Sequence, residues 1–145
     1  MPRLRGRAVI GGEIAAPVSV SRVGFNPFAS FCDQFDGGID TAVCGDPQNT
    51  ELFGEPLTGR IVLAPFCVGS TSAGPCWERI AELGLAPAGL LLPGDVDPLT
   101  AGGLILADVW LDTPIVCVDR LGPELLDRVE TGDELRVGRD GVVTW

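Results

Sequence analysis

Histidine is absent from this 145-residue chain. Without an imidazole, Ser-His-Asp and Cys-His catalysis and every histidine-ligated metal site are excluded together. Any chemistry must come from carboxylates, hydroxyls, thiols, arginine or groups supplied by another chain. Positive charge is also scarce: 10 Lys and Arg stand against 20 Asp and Glu, for a formal net charge of −10. That balance argues against a nucleic-acid partner, which needs a basic footprint. No apolar run approaches the roughly 18 residues of a membrane span, so no membrane partner is expected. Arg3, Arg5 and Arg7 precede a short Ala8-Val9-Ile10 run, without the long apolar stretch of a signal peptide, and the expected location is cytoplasmic. There is no C-x-x-C motif. Five cysteines, Cys32, Cys44, Cys67, Cys76 and Cys117, are an odd number at irregular spacings. A disulfide framework and a zinc site are both poor readings; reduced, mostly buried thiols are the expectation, and no metal ligand is assigned in this chain.

What is present suits one α/β domain spanning residues 1–145, long enough to bury a core. Hydrophobic residues make up 46% of it and the mean hydropathy is +0.30, oily enough to suggest a face covered by a partner. The most informative stretch runs from Arg60 to Pro93. Arg60 to Phe66 is short, apolar and branched, and reads as a buried strand. Cys76, Ile80 and Leu83 then recur at helical spacing, with Pro75 in the first turn. Between them lies Gly69-Ser70-Thr71-Ser72-Ala73-Gly74, two glycines around three hydroxyls. Strand, hydroxyl turn and helix N-terminus together form a place where N–H groups and hydroxyls can face an anion.

Elsewhere the pattern predicts strands over Arg7–Ile10 and Val18–Val20, separated by Gly11-Gly12, and a further strand over Ala88–Leu92. A helix follows from Asp97-Pro98 through Trp110, interrupted early by Gly102-Gly103. A strand over Pro114–Val118, a short helix after Gly122-Pro123 that stops at Gly132, and a closing hairpin of Glu134–Val137 with Val142–Trp145 complete the chain. Residues 25–49 read as a structured loop, either a lid or docking surface or simply a loop folded back on its own sheet, whose Phe25, Phe28, Phe31 and Phe35 need burial. Strands alternating with helices, flanked by hairpin strands at both ends, give a mixed, barrel-like sheet flanked by helices.

Several motifs, in this order, resemble one known family. They are Gly6-Arg7-Ala8-Val9 with Gly12-Glu13-Ile14-Ala15, Phe35-Asp36-Gly37-Gly38-Ile39-Asp40, and Leu57-Thr58-Gly59-Arg60-Ile61-Val62-Leu63. Gly69-Ser70-Thr71-Ser72, Ala86-Pro87-Ala88-Gly89-Leu90 and Asp97-Pro98 follow. Over nearly the whole chain this is similar to the swivel domain, or small subunit, of aconitase X. The resemblance implies a swivelling β/β/α fold that caps a large subunit holding an iron–sulfur cluster or iron. It also implies dehydration of a small hydroxy acid, cis-3-hydroxy-L-proline or mevalonate 5-phosphate among known members. A serine after a glycine supplies the base in such domains, which matches Ser70, with Ser72 the rival and Gly69, Thr71 and Ser72 as substrate-binding neighbours.

Two departures bear on the substrate. Ala73 stands where aconitases carry an arginine after the serines, and Val68 stands where many swivel domains of the family have one before the glycine. The substrate carboxylate would then be clamped mainly by the large subunit, and an unphosphorylated substrate of the hydroxyproline type is preferred. Cys67, near the turn, reads as packing rather than a cluster ligand. Asp36 and Asp40 could face the active site, but the preferred reading is that they satisfy turn amides. Two readings from other classes stand beside the enzyme subunit: a non-catalytic module that holds a small anion on the same turn, and a regulatory partner that has lost its chemistry.

Overall fold

A computed structural model describes all 145 residues. Its eight strands are β1 (Arg3–Arg5), β2 (Arg7–Ile10), β3 (Ile14–Val20), β4 (Ile61–Leu63), β5 (Gly89–Leu91), β6 (Val116–Asp119), β7 (Glu134–Val137) and β8 (Val142–Thr144). They form one sheet in the order β1-β8-β7-β3-β4-β5-β6-β2. The two ends of that order, β1 and β2, are consecutive in the chain with only Gly6 between them. The sheet therefore wraps round into a nearly closed barrel, which leaves little free edge for another strand to exploit.

The barrel has two unlike halves. β3, β4, β5 and β6 are mutually parallel, while β7, β8, β1 and β2 pair antiparallel. Parallel strands need helical crossovers, provided here by α2 (Ala73–Glu82) between β4 and β5 and α3 (Pro98–Val109) between β5 and β6. β4 and β5 are consequently buried on both faces, whereas β7 alternates exposed and buried residues. Along the parallel strands the pleat sends alternate residues to two separate cores. Val18, Val20, Ile61, Leu63, Leu91, Val116 and Val118 join Leu125, Leu135 and Val143 in one. Val62, Ala64, Leu90, Leu92 and Cys117 face Trp77, Ile80, Leu104 and Ala107 of the crossover helices in the other.

α3 begins as the sequence predicts: Asp97 is its N-cap, accepting from the Thr100 amide at 2.9 Å, and Pro98 follows. It is not interrupted at Gly102-Gly103. The helix runs on because Gly103 is where α2 crosses it; a Cβ there would collide with the Gly74 backbone, and one on Gly74 would lie 2.9 Å from the Leu99 carbonyl. The N-terminal hairpin is a second correction. β2 and β3 do not pair; β2 closes on β6 and β3 lies between β7 and β4. The closing hairpin of β7 and β8 is present, and the short helix before it is α4 (Glu124–Arg128).

Residues 25–49 fold back as a structured segment. Asn26 caps α1 (Pro27–Phe31), its side chain accepting from the Ala29 amide at 3.1 Å, and a 3-10 turn follows at Cys32–Gln34. Phe25 and Phe31 are buried against Trp77 of α2, with ring centroids 5.6–5.7 Å apart. Phe28 departs from the expected burial and is 53% exposed. Asp36 and Asp40 hold no turn amide; the turn they flank is instead fixed by Arg79, which donates to the Phe35 carbonyl at 2.8 Å. All five cysteines are free, with Cys44, Cys76 and Cys117 buried and the other two half-buried. No helix is long and apolar enough to cross a membrane.

Where β2 closes the barrel, Arg7 donates two hydrogen bonds to the fully buried Asp119 carboxylate, at 2.6 and 2.9 Å, and the Val96 amide adds a third at 2.8 Å. Burial raises the Asp119 pKa, but these donors outweigh it and hold the carboxyl below the usual carboxylate range.

Candidate active site

The C-terminal ends of parallel strands are where loops can converge without meeting a crossover helix from below. At that edge the segments beyond β3 and β4 keep running side by side. The Phe25 amide donates to the Phe66 carbonyl at 2.9 Å and the Val68 amide donates back to the Phe25 carbonyl at 2.8 Å, a parallel bridge between Phe25 and Cys67. Gly24 permits this approach, since a Cβ there would strike the side chains of Phe66 and Val68. Two segments far apart in sequence are thereby held in fixed register, one ending in Asn26, the other in Gly69.

Gly69 turns the chain toward α2 with a φ of +152°, in a region that favours glycine, and a Cβ there would also press on Ala73 at 3.1 Å. Ser70, Thr71 and Ser72 follow, all exposed. Ser72 occupies the N-cap of α2 but makes no capping bond. Its hydroxyl instead lies 3.2 Å from that of Ser70, a hydrogen bond in which either can donate. The Ala73 amide is engaged by the Ser70 carbonyl at 3.0 Å, while the amides of Ser70, Thr71 and Ser72 meet no acceptor in the chain. Free amides and the positive end of a ten-residue helix favour negative charge on an oxygen held here.

Ser70, Ser72, Gly69 and Ala73 face Asn26, Pro27 and Phe28 across a hollow of about 120 Å³. Thr71, grouped with them in the sequence, is exposed but lies outside this lining. Asn26 and Phe28 are the members that the sequence did not disclose. Asn26-Pro27 lies in the stretch whose sequence reads as an irregular loop; the structure makes it the start of α1, and nothing local marks it for a site. A second hollow of about 180 Å³ adjoins the first through Asn26 and is lined by Val23, Gly24, Asp46, Gln48, Asn49 and Val68. Neither hollow is lined by an arginine, so no cation of this chain stands ready to neutralise an anionic substrate.

An iron–sulfur cluster does not fit the residues present here. No three cysteine or carboxylate side chains converge, and burial pushes the Cys67 thiol, the one nearest the turn, up to about 12. Burial likewise raises the Cys117 thiol. Cys67 packs against the helical core, as the sequence suggests.

Fold and hollow together define a class: a barrel-like α/β unit with a hydroxyl-bearing turn at the open edge of its parallel strands. Comparison with known proteins gives the family. The aconitase X swivel domain family matches residues 3–145, and the chain belongs to it. The phosphomevalonate dehydratase small subunit of Methanopyrus kandleri is 33% identical over 75% of this chain and 76% of its own length. That of Aeropyrum pernix is 30% identical over 97% of this chain and 91% of its own. The crystal structure of Thermococcus kodakaraensis aconitase X in its holo-form superposes with a TM-score of 0.76 at 27% identity, covering 99% of this chain and 97% of that one.

Proposed function

We propose that this chain is the small subunit of a heteromeric aconitase-X-type hydro-lyase, and that Ser70 is its general base. The observation that carries the proposal is the Ser70 hydroxyl itself: exposed at the mouth of α2, 3.2 Å from Ser72, among amides with no other acceptor. The names of the relatives support a dehydratase subunit with a large partner. In the step assigned to this chain, Ser70 enters as the alkoxide. Its oxygen takes the proton beside the substrate carboxylate, the released pair forms the new double bond, and hydroxide leaves from the next carbon. The Ser72 hydroxyl, the unengaged amides of Thr71 and Ser72, and the α2 N-terminus stabilise the serine oxygen's negative charge. The turn around Gly69 holds the reacting carbon against that oxygen. Help for the departing hydroxide belongs to the large subunit, since no charged side chain lines the Ser70 hollow. The family's iron–sulfur cluster or iron is assigned to that subunit as well.

The absence of arginine from both hollows favours an unphosphorylated substrate, a small hydroxy acid of the cis-3-hydroxy-L-proline type. A second reading, mevalonate 5-phosphate, is favoured by the names of the curated relatives and would require the large subunit to bring the phosphate-binding cations. Co-expression with the large subunit and assay of both substrates tests the choice. For the mechanism, Ser70→Ala is expected to lower turnover by at least about a hundredfold, the scale of a lost general base. Turnover retained by Ser70→Ala but lost in Ser72→Ala would transfer the role to Ser72. The anion-binding module would gain if the isolated chain bound a small carboxylate and the complex showed no dehydration.

A further inference from the structure

The hollow beside Ser70 holds one polar group that proton abstraction leaves unused. Of the side chains lining it, only those of Asn26, Ser70 and Ser72 are polar, and the two serines bond to each other. Asn26 caps α1 through its oxygen alone: Oδ1 accepts from the Ala29 amide at 3.1 Å. Because only the oxygen can accept that bond, the orientation of the side-chain amide is settled and its other end is the NH2. That Nδ2 donates to no acceptor in the chain and is not sealed inside the core. The half-buried residue is also held from both sides. Its neighbour Phe25 is bonded to Phe66 and Val68, and its own carbonyl accepts from the Ser30 amide at 2.9 Å. The short α1 adds nothing further to the site; it fixes in place a donor that faces the serines.

We infer that Asn26 Nδ2 binds the substrate carboxylate next to the carbon from which Ser70 takes its proton. The inference rests on the reading of Ser70 as the base and holds for either candidate substrate, since in both the departing proton lies beside a carboxylate. As the C–H bond breaks, its proton passes to the serine oxygen. Its electron pair spreads onto the carboxylate oxygens before settling in the new double bond as hydroxide leaves. A donor at those oxygens is therefore worth more in the transition state than in the ground state. Size points to the same pairing. At roughly 30 Å³ for each water-sized group, a hollow of about 120 Å³ takes about four, a carboxylate and its neighbouring carbon rather than a whole substrate. Such a fragment with its carbon at Ser70 has its carboxylate against the opposite wall, where Asn26 stands. The donor is neutral, so it does not replace cations from the large subunit; it fixes which way the acid lies.

The test uses the complex with the large subunit and two variants that keep an oxygen for the Ala29 amide, Asn26→Ser and Asn26→Asp, both good helix caps. Asn26→Ser loses the reach of the donor, and Asn26→Asp replaces it with a charge that repels the carboxylate. Turnover is expected to fall about a hundredfold in Asn26→Ser, the scale of one lost donor to a developing oxyanion, and further in Asn26→Asp. Thermal unfolding and subunit association should stay as in the wild type. With substrate deuterated at the carbon beside the carboxylate, the isotope effect on turnover in Asn26→Ser should be at least that of the wild type, because proton abstraction is the step that suffers. A smaller isotope effect, or turnover near the wild-type level in both variants while Ser70→Ala is inactive, overturns the role of Asn26 and leaves the base standing. Full turnover by Ser70→Ala overturns both.

Discussion

The parallel and antiparallel halves of the barrel are built from similar apolar residues but are used differently. In the parallel half, β3 to β6 are covered by α2 and α3, and the chain leaves each strand through a loop at one edge. Those loops bear the serines, Asn26 and Asp46. In the antiparallel half, tight turns and direct strand exchange leave no comparable loop. Its largest hollow, about 600 Å³ and lined by Arg3, Arg5 and Arg136, is an open trough on the outer face of the sheet. A crossover connection is long and must begin with a helix N-terminus, so it creates a site where a hairpin does not. The candidate catalytic parts therefore gather on one half, and the other closes the barrel.

Mutations should separate these two contributions. The largest effect is expected from Ser70→Ala, which should lower the turnover of the complex by at least about a hundredfold. Because Ser70 is exposed, its thermal unfolding should shift by no more than about 0.5 kcal/mol equivalent. The reverse pattern is expected for Leu135→Ala in the barrel interior. Denaturant titration should show a loss of about 3 kcal/mol, the scale of a buried leucine cavity, with turnover of the folded fraction near wild type. A large fall in that turnover would break the division between halves.

Gly103→Ala should combine both effects, since its Cβ forces α2 and α3 apart beneath the serine turn. A stability loss of about 2 kcal/mol accompanied by reduced turnover is expected, measured by the same two assays. Asp119 gives a pH-dependent version of the comparison. Its carboxyl is held below the usual range in the folded chain, so its contribution is fully present above the unfolded value near 3.9. That contribution is lost as pH falls through the folded value. Asp119→Asn should accordingly weaken the fold at pH 7 and flatten the stability curve below about pH 4, read by thermal melts across that range. The smallest effect concerns Cys67. With its thiol pushed up to about 12, alkylation at pH 8 should leave Cys67 unmodified in the folded chain and modify it on unfolding, as read by mass spectrometry.

Much of this was legible in the residues. The branched run at Ile61–Leu63, the Asp97-Pro98 helix start and the closing hairpin each depend on near neighbours, and each forms where the pattern places it. The Gly69-Ser70-Thr71-Ser72 turn was visible for the same reason: its glycine, hydroxyls and following helix are contiguous. Gly102-Gly103 misled because its meaning lies in α2. A helix-weakening pair becomes a crossing point only when another helix needs the space. The N-terminal hairpin failed similarly, since strand pairing depends on what the far end of the chain contributes.

Sequence by itself therefore determined the elements apart from β1 and α1, the hydroxyl turn and the exclusion of histidine chemistry, all properties of composition and local spacing. Only tertiary structure brought Asn26 and Phe28 to that turn. Their meeting depends on backbone hydrogen bonds from Phe25 to Phe66 and Val68, and such long-range pairing leaves no period or motif in the chain.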